Sequence, residues 1–106
     1  MKQKLRLDPE AKRELRDAIA YYAERSKPAA RMLRDRIRDT SRRIADRPLS
    51  FPALVQPALD PPVRRALVPD FPFAIVFLVL DDAIQILAIA HTRRRPGYWL
   101  ERVRSE

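Results

Sequence analysis

Residues 63–99 read VRRALVPDFPFAIVFLVLDDAIQILAIAHTRRRPGYW, and this stretch decides the fold. It contains three short apolar runs rich in β-branched and aromatic side chains, at 63–68, 71–80 and 83–90. A Pro-Asp pair and an Asp-Asp pair separate the runs, and such residues favour tight turns. Runs of this length and composition between turn residues are typical of β-strands. The stretch therefore predicts three consecutive strands joined as an antiparallel meander.

The middle run is apolar from Phe71 to Leu80 except at Pro72, as expected of a central strand covered on parts of both faces. A buried helix has the same composition. However, Pro72 and the acidic pair after the run leave fewer than the ~10–12 residues that a helix usually needs. The run is also far shorter than the roughly 20 apolar residues of a membrane span. We interpret it as a central strand and expect no membrane partner.

At 106 residues the chain fits a single domain, residues 1–106, and its 46% hydrophobic content supports a packed core. It contains no Cys, so it forms neither a disulfide framework nor a thiolate site. The first residues lack the apolar core of a signal peptide. We therefore expect a cytoplasmic protein.

The chain carries 22 basic and 14 acidic side chains, a net charge of +8, and 18 of the basic residues are Arg. Arg forms bidentate contacts with phosphate and carboxylate groups. Such a field predicts an acidic partner, which is either nucleic acid or an acidic protein segment. The alternative is that the excess charge serves solubility alone.

Two amphipathic helices are predicted before residue 48. The first starts at Asp8 and Pro9, because Asp8 caps free amides and Pro9 lacks an N–H that the first turn leaves unpaired. Its apolar spacing ends near Arg25. The Ser-Lys-Pro sequence at 26–28 breaks it and starts the second helix, which ends before Pro48. The short joint predicts a helical hairpin.

Residues 48–62 contain five of the ten prolines, and we expect this connection to stay irregular. We expect it to pack on the surface through four apolar side chains, Phe51, Leu54, Val55 and Leu59. An alternating stretch at 4–7 predicts a short first strand, and the residues after Trp99 suffice for about one turn of helix. The order of elements predicts an α+β fold in which the helical hairpin covers one face of a small antiparallel sheet. The other face is expected to stay partly open.

The last run leads into the only His of the chain, three consecutive Arg, the only Gly and the only Trp. The candidates for target binding are Arg64, Arg65, Arg93, Arg94, Arg95, Tyr98 and Trp99. Arg residues beside stackable rings suit phosphate or base contact, but they also fit a solvated turn with apolar caps on the sheet edge. His91 is either a general base or a hydrogen-bonded structural residue. Strand alternation places Arg64 and Arg65 on opposite faces, so at least one reaches solvent or a partner.

The order of elements, the Phe-Pro-Phe start of the central strand, the Asp-Asp turn and the ending at 91–99 together resemble the RelE/ParE toxin superfamily. The resemblance runs from Leu5 to about Arg102 and is greatest to the ParE or plasmid stabilisation branch. It implies a small toxin of a type II toxin–antitoxin system, held inactive by a cognate antitoxin whose extended tail covers the sheet and helices. Characterised ParE members poison DNA gyrase, whereas the RelE branch cuts messenger RNA on the ribosome.

The resemblance also implies where a nuclease site would lie. The nuclease branch has a Tyr-Arg pair where this chain has Phe73 and Ala74, and its lysines before that strand have no counterpart after Lys27. If the chain were a nuclease, the catalytic candidates would be Arg93, Tyr98, His91 and Arg65. Cleavage by a 2′-hydroxyl needs a proton acceptor and preorganised cations, and this set is incomplete.

We therefore expect a ParE-like toxin that binds and poisons DNA gyrase and is not an enzyme. The alternatives are a RelE-like endoribonuclease that acts on ribosome-bound mRNA, and a non-toxic basic nucleic-acid-binding module. A single Gly excludes a glycine-rich phosphate loop, and a lone His without Cys gives no zinc site. We expect no metal and no small-molecule cofactor.

Overall fold

The computed structural model describes residues 3–55 and 58–103. Its elements are β1 (Leu5–Leu7), α1 (Pro9–Arg25), α2 (Lys27–Asp46), a 3₁₀ turn (Pro48–Ser50), β2 (Val63–Leu67), β3 (Phe73–Val79), β4 (Ile84–His91) and α3 (Leu100–Val103). The predicted α+β class is confirmed. The element order and both predicted helix ends also agree with the structure.

Each long helix begins where the sequence provides a cap. The Asp8 side chain accepts a hydrogen bond from the Glu10 N–H at 2.8 Å, and Pro9 occupies the first turn of α1. Ser26 ends α1, and its Oγ accepts a hydrogen bond from the Ala29 N–H at 3.2 Å at the start of α2. Because a single residue joins the helices, they pack against each other as the predicted hairpin.

The four strands lie in the order β1-β4-β3-β2. The β2–β3 and β3–β4 pairs are antiparallel, as the tight turns between them require. β1 runs parallel to β4, so the sheet is mixed and not purely antiparallel as expected. No short turn links β1 to β4, because two helices and two strands lie between them along the chain. This parallel pairing reaches only from Ile84 to Ile86 of β4, where the Asp8 N–H donates to the Ile86 carbonyl at 2.9 Å.

The helical hairpin covers one face of the sheet and forms the larger part of the core. Alternate residues of β3 point into this layer, together with three residues of β4 and the buried stripe of α2, namely Phe73, Ile75, Phe77, Ile84, Ile86, Ile89, Leu33, Ile37 and Ile44. Phe51 packs edge-to-face on Phe77, with ring centroids 5.9 Å apart. The connection after α2 thus contributes to this face, as its apolar residues predicted.

The second face of the sheet is closed at its centre by the C-terminal segment. Its buried residues include Val63, Val76, Leu78, Leu87 and Trp99, and the partly buried side chains packed on them include Leu54, Leu59, Tyr98 and Val103. The expectation that Val55 packs here is wrong, since Val55 is 79% exposed. This face stays open towards Leu67 of β2, which is 60% exposed.

Replacing Trp99 by Ala should lower the free energy of unfolding by roughly 3–5 kcal/mol, because Trp99 is buried among large apolar side chains of the second face. The matched control is Leu67→Ala, which truncates an exposed residue of the same face and should cost under about 0.5 kcal/mol. Urea denaturation followed by far-UV circular dichroism measures both. Equal, small losses would mean that the C-terminal segment is not part of the core.

Candidate functional site

A β-bulge interrupts the pairing of β3 with β4. Val76 lies opposite Ala88 and Phe77 lies opposite Ile86, so Leu87 is an extra residue on β4. β1 also stops at Ile86, so among residues 3–55 and 58–103 no strand pairs with the outer edge of β4 beyond that point. Backbone groups on this edge need other partners.

Side chains from α1 and α3 supply those partners. Glu14 accepts a hydrogen bond from the Ile89 N–H at 3.0 Å, and Arg102 donates to the Leu87 carbonyl at 2.8 Å. The guanidinium of Arg102 also donates to both carboxylate oxygens of Glu14 at 3.0 Å, in a bidentate pair. The Tyr98 hydroxyl donates to Oε2 of Glu14 at 2.7 Å. We call these three side chains with the two backbone groups the Glu14 network.

The Glu14 network is largely shielded from water, because the side chains of Glu14 and Arg102 are only 16% and 15% exposed. Burial raises the pKa of Tyr98 above its ordinary value of 10.0, and the hydrogen bond to Glu14 and the charge of Glu14 raise it further. Burial alone would lower the pKa of Arg102, but the hydrogen bond and the charge of Glu14 outweigh it and raise that pKa. Tyr98 is therefore a neutral donor, and Arg102 a permanent cation, at physiological pH.

The loop between β4 and α3 is held by local contacts. The Arg93 N–H donates to Nδ1 of His91 at 3.1 Å, and the Arg94 guanidinium lies 3.8 Å from the centroid of the Tyr98 ring. Gly97 has a φ of +84°, in the left-handed region that favours glycine, and a Cβ at Gly97 would lie 3.3 Å from the Leu100 side chain. The only Gly of the sequence therefore stands where the loop turns into α3.

A pocket of about 260 Å³ lies between this loop and the second face of the sheet. We call it the cationic pocket. Its apolar lining includes Ala74, Val76, Ala90 and Trp99, its guanidinium groups come from Arg65, Arg94 and Arg95, and none of its described lining residues carries a carboxylate. Within the part of the chain that the structure describes, none of these three Arg residues forms an ion pair, whereas Arg36 pairs with Asp70 at 2.9 Å. Among the described residues, the positive charge of this pocket is therefore uncompensated.

The structure separates the sequence candidates into two groups. Arg65 lies opposite Val76 and shares the second face with the loop, so the cationic pocket brings together Arg65, Arg94, Arg95 and the ring of Tyr98. Arg64 lies on the helical side, where its Nη1 donates to the Phe51 carbonyl at 2.7 Å. The predicted opposite orientation of Arg64 and Arg65 is thus confirmed.

The remaining candidates are Arg93, Trp99 and His91, and they differ in exposure and in whether they line the pocket. Arg93 is exposed but does not line the pocket. Trp99 is only 3% exposed and packs against the sheet, so its contribution is to support the loop. His91 is half-buried, with its ring edge-to-face on Phe73 at 5.4 Å.

A second concave surface of about 450 Å³ lies between α1 and the outer edge of β4, and we call it the aromatic groove. Tyr21, Tyr22 and Phe73 line it together with Asp17. It shares a wall with the cationic pocket, formed by His91, Arg94 and Tyr98. Sequence reasoning missed both the aromatic groove and Glu14.

A sequence signal for Glu14 existed. Glu14 follows Ala11 by three residues and precedes Ala18 by four, so it falls inside the apolar stripe of α1. A carboxylate at such a position is buried and requires a partner. The partner was not visible in the sequence, because Arg102 lies 88 residues further along the chain.

A family model described as the ParE toxin of the type II toxin–antitoxin system, parDE, matches residues 5–96. A search of curated proteins finds no match. The matched range includes Glu14, the bulge and the Arg residues of the cationic pocket, and it ends before Tyr98 and Arg102. Among the helices of the described residues, none is long and apolar enough to cross a membrane.

The ionisation of Tyr98 should be displaced to high pH and should destabilise the fold there. Since the folded-state pKa lies above the ordinary value of 10.0, the unfolded chain ionises first, and this contribution to stability is present below pH 10 and is lost as the pH rises further. Spectrophotometric titration at 295 nm, compared with Tyr98→Phe, measures the difference. A Tyr98 contribution centred at or below pH 10 would contradict the hydrogen bond to Glu14.

Proposed function

The chain belongs to the ParE toxin family of type II toxin–antitoxin systems, and on this premise we propose that it arrests growth by binding and poisoning DNA gyrase. In this proposal the cationic pocket contacts the target, and no bond of a nucleic acid is cut by the toxin itself. Toxins of this family pair with antitoxins, and we propose that a cognate antitoxin neutralises this chain at the helical hairpin and the aromatic groove.

The hydrogen bonds of Tyr98 and His91 support binding over cleavage. A nuclease needs a group that accepts the proton of the attacking hydroxyl. Tyr98 donates its own proton to Glu14, and its raised pKa disfavours the phenolate at neutral pH. In neutral His91, Nδ1 accepts from the Arg93 N–H, so Nε2 carries the proton and neither nitrogen has a free lone pair. The two strongest candidates for a base are therefore already engaged.

The cationic pocket has the properties that a binding surface requires. Its three Arg residues have no carboxylate to give up when a partner binds, as judged from the described residues. Charge-assisted contacts from Arg to carboxylate or phosphate are the stronger class of hydrogen bond, and complementary charge accelerates association. The small side chains of Ala74 and Ala90 leave room beside the guanidinium groups for an apolar or planar partner group.

The proposed antitoxin surface has apolar anchors and the carboxylates of Glu14 and Asp17 at the aromatic groove, and positive charge on α2. Tyr21 on α1 and Met32 on α2 are 52% and 45% exposed, and the aromatic groove lies beside Tyr21. Exposed Arg residues follow the outer face of α2, which suits an acidic and apolar antitoxin tail. The sheet face that we first expected to contribute is closed at its centre by Trp99, so the hairpin side is the better candidate.

Replacing Arg65, Arg94 and Arg95 together by Ala should weaken inhibition of gyrase supercoiling at least about tenfold, because each lost charged contact costs roughly 1.5–3 kcal/mol. The charge-matched control replaces three exposed Arg residues of α2, Arg31, Arg34 and Arg42, and should retain inhibition. Supercoiling assays with purified protein measure both, and a translating extract run in parallel reports cleavage of messages. Message cleavage by the wild type, with supercoiling unaffected, would favour the endoribonuclease instead.

Replacing Tyr21 by Ala should weaken antitoxin binding at least about tenfold while growth arrest in the absence of antitoxin persists, since exposed aromatic residues commonly dominate such interfaces. The control is Leu49→Ala, an exposed apolar residue of the 3₁₀ turn. Calorimetric titration with the product of the neighbouring gene measures the affinity. Unchanged affinity for Tyr21→Ala would place the antitoxin elsewhere.

A further inference from the structure

We propose that Glu14 is the positioning residue of the cationic pocket, although it lies on α1 and does not line that pocket. Two contacts of Tyr98 carry this inference. Its hydroxyl donates to the Glu14 carboxylate, and the Arg94 guanidinium stacks on its ring. The inference rests on the proposed function only in treating the pocket as the target-contacting surface.

The segment that carries the pocket is too short to hold itself in place. α3 spans four residues, and an isolated helix of that length is unstable in water. The contacts of α3 and the preceding Trp99 with the rest of the molecule include the packing of Trp99 and Val103 on the second face and the bonds of Arg102 to Glu14 and to the Leu87 carbonyl. Glu14 is thus the polar attachment point of the loop and α3 on the helical hairpin.

Loss of Glu14 would leave several donors without their acceptor in a shielded site. The Ile89 N–H, the Tyr98 hydroxyl and the Arg102 guanidinium all donate to its two oxygens. Leaving buried donors unpaired is more costly than losing an exposed contact. The segment therefore relaxes outward to find water, and the ring of Tyr98 moves with it.

The displacement reaches the pocket through Arg94. Its guanidinium stacks on the Tyr98 ring at 3.8 Å, and among the described residues it forms no ion pair that would hold it otherwise. The chain of contacts from Glu14 through Tyr98 thus fixes one of the three cations of the pocket. Glu10 provides a matched comparison on the same helix, because it pairs with Arg13 at 3.3 Å on the exposed surface.

Hydrogen exchange of the full-length protein tests this assignment without requiring the target. The backbone amides of Arg94, Tyr98 and Arg102 are hydrogen-bonded within the loop and α3, so their exchange reports its opening. Tyr98→Phe should accelerate their exchange by about tenfold, since it removes one bond to a charged acceptor, and Glu14→Gln should accelerate it further. Amides of β3 should keep wild-type rates, and Glu10→Gln should change neither set.

Growth arrest supplies the functional readout. Tyr98→Phe and Glu14→Gln should each require more toxin for arrest, and the double variant should lose little more than Glu14→Gln alone, because Glu14→Gln already removes the charged acceptor of the Tyr98 hydroxyl. Unchanged loop exchange in Tyr98→Phe and Glu14→Gln would overturn the assignment. So would uniformly faster exchange of all amides, which indicates a general structural role. If Glu14→Gln does not fold, Tyr98→Phe decides alone. If the wild-type protein does not inhibit gyrase, only the proposed target is wrong, and the assignment of Glu14 still depends on the hydrogen exchange.

Discussion

A single carboxylate, that of Glu14, completes the sheet where its own pairing stops. β1 covers only the first part of β4, and the bulge at Leu87 then turns two consecutive residues, Leu87 and Ala88, towards the second face. Without Glu14 and Arg102, the Ile89 N–H and the Leu87 carbonyl on this edge of β4 would lose these hydrogen bonds. One ion pair therefore joins the helical hairpin, the sheet edge and the C-terminal segment, and a buried pair of this kind is costly to break from either side.

The parts of the fold that depend on local signals were predictable from the sequence. Asp8 and Ser26 cap the two helices because their side chains accept hydrogen bonds from nearby amides, and the turn residues between apolar runs define β2, β3 and β4. The orientation of Arg64 and Arg65 followed from strand alternation. Each of these features is decided within a few residues along the chain.

Features that depend on distant pairing were not predictable in the same way. The parallel direction of β1 is set by contacts with β4, which lies at the other end of the chain. The bulge leaves no mark on a run that is apolar at nearly every position from 83 to 90, because alternation cannot be read there. From the sequence, Trp99 could be interpreted either as a target-contacting residue or as an apolar cap on the sheet edge. Its packing on the second face of the sheet decides for the cap.

The two concave surfaces share one wall but differ in chemistry. The aromatic groove has apolar anchors and two carboxylates, those of Glu14 and Asp17, whereas the cationic pocket has Arg residues that form no ion pair with any described residue. In the function proposed above, the aromatic groove takes part in antitoxin binding and the cationic pocket contacts the target. Because His91, Arg94 and Tyr98 belong to both linings, an occupant of the groove lies against the residues that shape the pocket.

A photo-crosslinking amino acid at position 92, an exposed position of the cationic pocket that supplies none of its three guanidinium groups, provides the most direct measurement of the target in growing cells. The incorporated group reports whatever macromolecule lies against the pocket during growth arrest, without an assumed substrate. Gyrase as the target predicts a covalent adduct with a gyrase subunit, lost when antitoxin is co-expressed. Adducts with ribosomal proteins or messenger RNA, and none with gyrase, would contradict it.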